Sequence, residues 1–164
     1  MLLDIRKLFR PDAKPVKETL SFDFSQEDFP GYEVPEPVVM RYEAKPYESF
    51  VRFSLTITAT LNASCSRCLE PASVELPVEK QYDICPEDVE EEVPQLPFTR
   101  QKLLDLRELA YGEIVIEAPA SILCTEDCDG LCDVCGCKAS ECHCVLEEEG
   151  DPRLQVLKEL LNDT

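Results

Sequence analysis

At 164 residues the chain is long enough for one domain with a modest core plus an appended module. Its 34 acidic and 16 basic side chains leave a formal net charge of −18, which repels a phosphate backbone and argues against large-area nucleic-acid binding. No stretch approaches the roughly 18 apolar residues of a membrane span, and the first residues carry charges at Asp4, Arg6, Lys7 and Arg10, unlike a secretory signal. A cytoplasmic protein is therefore expected. In that reducing setting, thiolates more often hold metal than form disulfides.

The charge is unevenly spread. Residues 1–17 carry five basic and two acidic side chains, net +3; residues 18–82 net −6; residues 83–164 net −15. The basic arm (Arg6, Lys7, Arg10, Lys14, Lys17) could touch RNA locally, although the solvated end of an ordinary element explains it as well. The acidic body fits a basic protein partner, or solubility alone.

In chain order, residues 1–10 are readable as a short strand or a helical turn. Leu20, Phe22 and Phe24 alternate with polar residues, as in a strand. Residues 25–37 hold three prolines and a glycine and read as a loop. Val38, Met40, Tyr42 and Ala44 begin a second alternating run, which Lys45-Pro46 is expected to break. The clearest pattern is 50–61, FVRFSLTITATL: Val51, Phe53, Leu55, Ile57, Ala59 and Leu61 face one way, and arginine, serine and threonines the other. Residues 72–84 repeat the alternation, with Pro77 placing that strand at a sheet edge or a bulge. The two runs are expected to pair antiparallel, connected by residues 62–71.

Residues 85–99, with five acids and three prolines, read as a mobile acidic linker. A helix follows, capped by Asp105 with Glu108 at capping-box spacing and striped by Leu106, Leu109, Ala110 and Ile114. Pro119 ends it. After a cysteine-rich stretch and the acids Glu147 to Glu149, Asp151-Pro152 opens a terminal helix with Leu154, Leu157, Leu160 and Leu161 on one face. The expected fold class is α+β: a mainly antiparallel β domain over 1–84, an acidic linker over 85–102, and a helix, cysteine-rich zinc module and terminal helix over 103–164.

Seven of the ten cysteines fall between Cys124 and Cys144, with the single histidine, His143, between two of them. Cys132-Asp-Val-Cys135-Gly136 has the outline of a metal knuckle: two thiolates turn back on one ion, and the glycine lets the backbone approach the sulfurs. Cys124 and Cys128 lie upstream, Cys142 and Cys144 downstream. These six are the candidate zinc ligands, for one ion or for two; the competing reading is a disulfide cluster or free thiols. Cys65 and Cys68 sit in the connection NASCSRCLEP at the sheet rim. They could share an ion with a downstream pair, act as a redox dithiol, or stay as reduced structural thiols. Redox pairs of this spacing usually open a helix; this one ends a strand. Cys85 is isolated, and Cys137 is read as a spare thiol that could replace a neighbour as ligand. With one histidine, no phosphate-cradling glycine loop and no His-Glu-x-x-His, the residues offer no catalytic constellation.

Cys65-Ser-Arg-Cys-Leu-Glu-Pro71 resembles the signature of the YceD family, the large ribosomal RNA subunit accumulation proteins. So does the order that follows: Leu104-Asp105-Leu106, Cys124-x-x-x-Cys128-x-Gly-Leu-Cys132-x-x-Cys135-Gly136, Cys142-x-Cys144, and Asp151-Pro152-Arg153-Leu154. The chain departs from the family after Gly136, where Cys137-Lys138-Ala139 stands in place of an Asn-Leu-Asn-like segment. The resemblance implies a cytoplasmic bacterial-type protein needed for normal 23S rRNA levels.

Three functions follow as expectations. The first is a non-enzymatic factor of large-subunit biogenesis whose acidic body holds a basic ribosomal protein or a pre-50S particle, with direct rRNA contact secondary and no membrane or small-molecule substrate. The second is a metal-dependent RNA-processing enzyme, which a thiolate-rich site without a magnesium-type oxygen cluster argues against. The third is a zinc-binding interaction module unrelated to ribosomes. Cys65, Arg67, Cys68 and Glu70 are expected to form a second metal site or a partner contact, because a strand connection at a rim suits function better than core packing.

Overall fold

In a computed structural model of the chain, residues 1–91 and 95–144 are described. The alternating run at 50–61 is the middle of a 14-residue strand, β4 (Val51–Ser64), and its apolar residues Val51, Phe53, Leu55, Ile57, Ala59 and Leu61 are all buried. β4 pairs antiparallel along its whole length with β5 (Pro71–Ile84), from Val51 opposite Ile84 to Ser64 opposite Pro71. On its other side lies β3 (Val38–Pro46), which pairs in turn with β2 (Val16–Phe22), giving the order β2-β3-β4-β5. Pro77 stands opposite Thr58 on the edge strand with no break in register, a place where a missing ladder donor is tolerated. Pro46 does not interrupt β3 but ends it, at a four-residue turn closed by Tyr47 N–H donating to the Phe50 carbonyl at 2.8 Å.

One face of this sheet is wet and the other is covered. Thr56, Thr58 and Arg41 are exposed; on the reverse face Met40, Tyr42, Phe53, Ile57 and Val78 are buried. The cover is assembled from the N-terminal residues and from residues 104–117. The N-terminal residues resolve into both candidates: a two-residue strand, β1 (Leu2–Leu3), then a 3-10 turn (Ile5–Phe9) burying Ile5 and Leu8. β1 pairs with β6 (Leu104–Asp105), which leads directly into α2 (Leu106–Glu117). Asp105 caps α2, accepting from the N–H groups of Arg107 (3.0 Å) and Glu108 (3.4 Å). The stripe Leu106, Leu109, Ala110 and Ile114 is buried, and so is Glu113, which pattern alone does not place there. Its carboxylate accepts from the Tyr82 hydroxyl and lies 3.8 Å from Lys80 Nζ, so α2 is tied to β5 by a polar contact within the apolar layer.

The loop 25–37 is held against α2. Arg107 donates to Glu27 (2.7 Å) and to the Asp23 carbonyl (3.2 Å), and its guanidinium lies 4.8 Å over the Phe24 ring. Tyr111 donates to the Asp28 carbonyl at 2.9 Å.

The segment expected to be a mobile acidic linker is different. Residues Pro86–Glu91 form a helix, α1, with Val89 buried against the N-terminal 3-10 turn. Asp88 accepts from the Cys85 N–H at 2.7 Å, the returning half of a capping box, and Lys102 Nζ donates to the Glu90 carbonyl at 2.8 Å. Leu96 is buried and Phe98 bridges to Leu104. The acid count masked one apolar anchor and a good N-terminus: Pro86 fits the first turn and Glu87 and Asp88 suit its dipole. The acids at 147–149 and the terminal helix expected from Asp151 lie outside the described residues. Among the described residues no helix is long and apolar enough to cross a membrane. The fold is α+β, largely antiparallel sheet, with the cysteine-rich stretch at the end of the β4–β5 hairpin.

Candidate metal centres

Between Ser64 and Pro71 the chain must reverse in six residues. It does so in a knuckle: Leu69 N–H donates back to the Cys65 carbonyl (3.0 Å) and Cys65 N–H to the Glu70 carbonyl (2.7 Å). The turn needs a left-handed residue after the second cysteine, and Leu69 takes that role at φ 64°. The same pattern recurs at 132–137. Gly136 N–H donates to the Cys132 carbonyl (2.8 Å), Cys132 N–H to the Cys137 carbonyl (2.7 Å), and Gly136 sits at φ 71°. Only in the second knuckle is the position filled by the residue that tolerates it without strain.

Each knuckle presents two thiols, and each meets a different second pair. Cys65 and Cys68 converge with Cys124 and Cys128; Cys132 and Cys135 converge with Cys142 and Cys144. Within each group the four sulfurs all lie within 4.8 Å of one another. The six downstream candidates therefore do not stay together: Cys124 and Cys128 turn back to the sheet rim. Cys65 Sγ is 3.8 Å from Cys128 Sγ, and Cys68 Sγ is 3.5 Å from Cys124 Sγ. In the second group Cys135 Sγ is 3.4 Å from Cys142 Sγ. With metal–sulfur bonds of about 2.3 Å, the sulfurs of a tetrahedral site lie about 3.8 Å apart. Both groups thus offer the number, type and spacing of donors that a metal ion takes. Four soft sulfurs would fill a tetrahedral shell and leave no position for a substrate.

The two groups differ in their surroundings. In the first, Cys65, Cys68 and Cys128 are buried and Cys124 packs against the core. Main-chain and side-chain bonds clamp its halves together. Ser66 N–H donates to the Ile122 carbonyl (2.8 Å), and Arg67 Nη1 to the Cys128 carbonyl (2.7 Å). Gly130, at φ 82°, passes so close to the knuckle that an added Cβ would stand 3.3 Å from the Arg67 carbonyl oxygen. In the second group Cys135 and Cys144 are exposed, and the frame is slight: a bridge from Leu131 to Lys138, and Ala139 N–H donating to the Gly130 carbonyl (2.9 Å). Lys138 Nζ reaches Glu70 at 2.5 Å and joins the two modules. Arg67 and Glu70, expected at a metal site or partner contact, are exposed at the rim and fasten the downstream segment to it. Cys85 and His143 belong to neither group, while Cys137 Sγ lies 2.7 Å from Cys135 Sγ.

One thiol in each group is primed to ionise. The Cys68 backbone N–H, ahead of other main-chain donors and against burial, pulls Cys65 down to about 6. The Cys137 thiol, followed by the Cys137 backbone N–H, pulls Cys135 down to about 6. Cys68 goes the other way: the backbone at Glu70 lowers it, but burial and the neighbouring thiols push it up to about 12. A cation would be needed to hold all four sulfurs of a group as thiolates.

Residues 53–161 match the family model described as large ribosomal RNA subunit accumulation protein YceD. The chain belongs to the YceD family. The matched residues start in β4 and include both knuckles and all eight converging cysteines. Among curated proteins this YceD-family chain is similar to uncharacterized proteins of Mycobacterium tuberculosis (strain ATCC 25618 / H37Rv) and Mycobacterium bovis (strain ATCC BAA-935 / AF2122/97). Each is 29% identical over 110 residues, which is 65% of this chain and 53% of theirs. The chain spans about half the length of the curated relatives it matches. No solved structure matches.

Proposed function

We propose that the chain is a non-enzymatic factor in the accumulation of large-subunit (23S) ribosomal RNA, acting by holding a basic ribosomal protein or an assembly intermediate. The family match carries the ribosomal part of this reading. The charge distribution supports the partner: residues 83–164 carry net −15, and α1 displays Glu87, Glu90 and Glu91 on its exposed side. Ribosomal proteins are basic before they meet rRNA, and an acidic surface can occupy them until the more densely charged RNA displaces it.

In this reading zinc fills both thiol groups, through Cys65, Cys68, Cys124 and Cys128, and through Cys132, Cys135, Cys142 and Cys144. Its role is structural: it cross-links the downstream segment to the sheet rim and gives the exposed module a fixed shape. A closed four-sulfur shell suits this role better than that of an RNA-processing enzyme.

The test is binding of the purified chain to isolated large-subunit proteins. Affinity should fall steeply between about 0.1 M and about 1 M salt, as the Debye length shrinks from about 10 Å to about 3 Å. Changing Glu87, Glu90 and Glu91 together to Gln should weaken binding; Asp88 must stay, because it caps α1. Salt-resistant binding to naked 23S rRNA, with no protein partner, would overturn the proposal.

A further inference from the structure

The second thiol group has a fifth sulfur beside it. Cys137 lies outside the converging four, is exposed, and places Sγ 2.7 Å from Cys135 Sγ. The intervening Gly136, at φ 71° with open space where a Cβ would stand, folds the chain so that the two side chains meet. A disulfide is about 2.05 Å long, so closing this pair needs only a small movement. The first group has no such neighbour, and three of its four cysteines are buried.

We propose that Cys135 and Cys137 form a peroxide-sensitive dithiol that removes one sulfur from the second metal group and so releases its ion. The metal half rests on the two-site reading above. Cys137, exposed and not engaged by metal, meets the oxidant first. Its sulfur attacks one peroxide oxygen, the O–O bond breaks, and a sulfenic acid and one water result. The Cys135 sulfur then displaces the sulfenic hydroxyl, the S–S bond forms, and a second water leaves. The two sulfurs together give two electrons to hydrogen peroxide; Cys137 supplies one proton and solvent the other, because a metal-bound Cys135 has none to give. With Cys135 in the disulfide, only Cys132, Cys142 and Cys144 would remain to hold an ion, which would leave more readily. A dithiol reductant returns two electrons and restores the group. The Leu131–Lys138 bridge and the Cys132–Cys137 hydrogen bond frame this knuckle, so the change would loosen the exposed module while the sheet rim keeps its metal.

The experiment uses the full chain loaded with zinc. Metal release after hydrogen peroxide is followed with a chromogenic chelator, and disulfides are mapped by mass spectrometry. One of two ions should leave quickly, together with a Cys135–Cys137 link. Cys137→Ala should bind both ions and release the labile one slower by about tenfold or more. Release from Cys137→Ala at the unaltered rate, or a link mapping to Cys142–Cys144 or any other pair, overturns the proposal. Loss of an ion from Cys137→Ala before oxidant also overturns it, since Cys137 is then a ligand. If the unaltered chain binds no zinc, the metal reading fails separately. The metal-free chain still decides the dithiol: no Cys135–Cys137 link after peroxide means no such pair.

Discussion

Two copies of one turn hold different positions in this molecule. The knuckle at Cys65–Cys68 closes a hairpin of two 14-residue strands and buries its sulfurs; the knuckle at Cys132–Cys135 stands on the Leu131–Lys138 bridge and exposes Cys135. Their hydrogen bonds correspond one for one, yet one has Leu69 in the left-handed position and the other Gly136. The comparison teaches that a strong frame can impose a strained backbone, whereas a weak frame needs a residue that adopts it freely. It also separates two tasks a metal would perform, joining distant segments in one case and shaping a local module in the other.

Removing the thiol pairs should give the largest effect and the sharpest contrast if both groups hold zinc, as proposed. Structural zinc contributes on the order of 10 kcal/mol to small zinc modules. Cys65→Ser with Cys68→Ser should cost much of that, detach residues 118–144 from the rim and lower the melting temperature of the whole chain. Cys132→Ser with Cys135→Ser should make the 130–144 region protease-sensitive and leave the main thermal transition nearly in place. Equal effects of the two double substitutions, read by calorimetry and limited proteolysis, would break the comparison.

Chelation tests the same contrast without mutation. From the zinc-loaded chain, a strong chelator should remove one equivalent quickly, from the exposed group, and the second only as the fold opens. A single phase for both would mean that burial does not distinguish them.

A smaller effect is expected at the clamp. The sequence alone suggests that Arg67→Ala leaves stability unchanged, since a rim arginine reads as a contact for partners. The Arg67 bond to the Cys128 carbonyl makes it structural as well, and its loss should cost about 1 kcal/mol in a denaturant titration. Glu70→Gln, which weakens the contact to Lys138 on the exposed surface, should cost less.

The smallest effects concern the left-handed positions. Leu69→Gly should be neutral or stabilise by up to about 1 kcal/mol, because relief of backbone strain is offset by the added freedom of the unfolded chain. Gly136→Ala should cost about 1 kcal/mol, confined to the second knuckle and seen as weaker zinc retention in the zinc-loaded chain. Opposite signs at the paired positions would be direct evidence that the knuckles share one geometry.

The parts of the fold legible in sequence are those set by local chemistry. The alternation from Val51 to Leu61 marks the central strand because side chains on a strand alternate faces, and Asp105 marks the start of α2 because a carboxylate there accepts the free N–H groups. Cys-x-x-Cys spacing marks both knuckles. Helix α1 was hidden because its one apolar anchor, Val89, is outnumbered by acids, and Glu113 because its partner Tyr82 is 31 residues away.

By itself, then, the sequence determined the alternating runs of the four-stranded sheet, the cap of α2, the thiol pairs and the sign of the surface, all consequences of a residue and its near neighbours. Only the tertiary structure decided which pairs share a group. Cys124 and Cys128 are closer in sequence to Cys132 than to Cys65, but the hairpin carries Cys65 and Cys68 to the place where the chain leaves α2, and the Ser66–Ile122 and Arg67–Cys128 bonds hold it there. Spacing along the chain ranks partners by loop length, and closing a longer loop costs little more than closing a short one. A few contacts across the sheet rim are enough to overrule it.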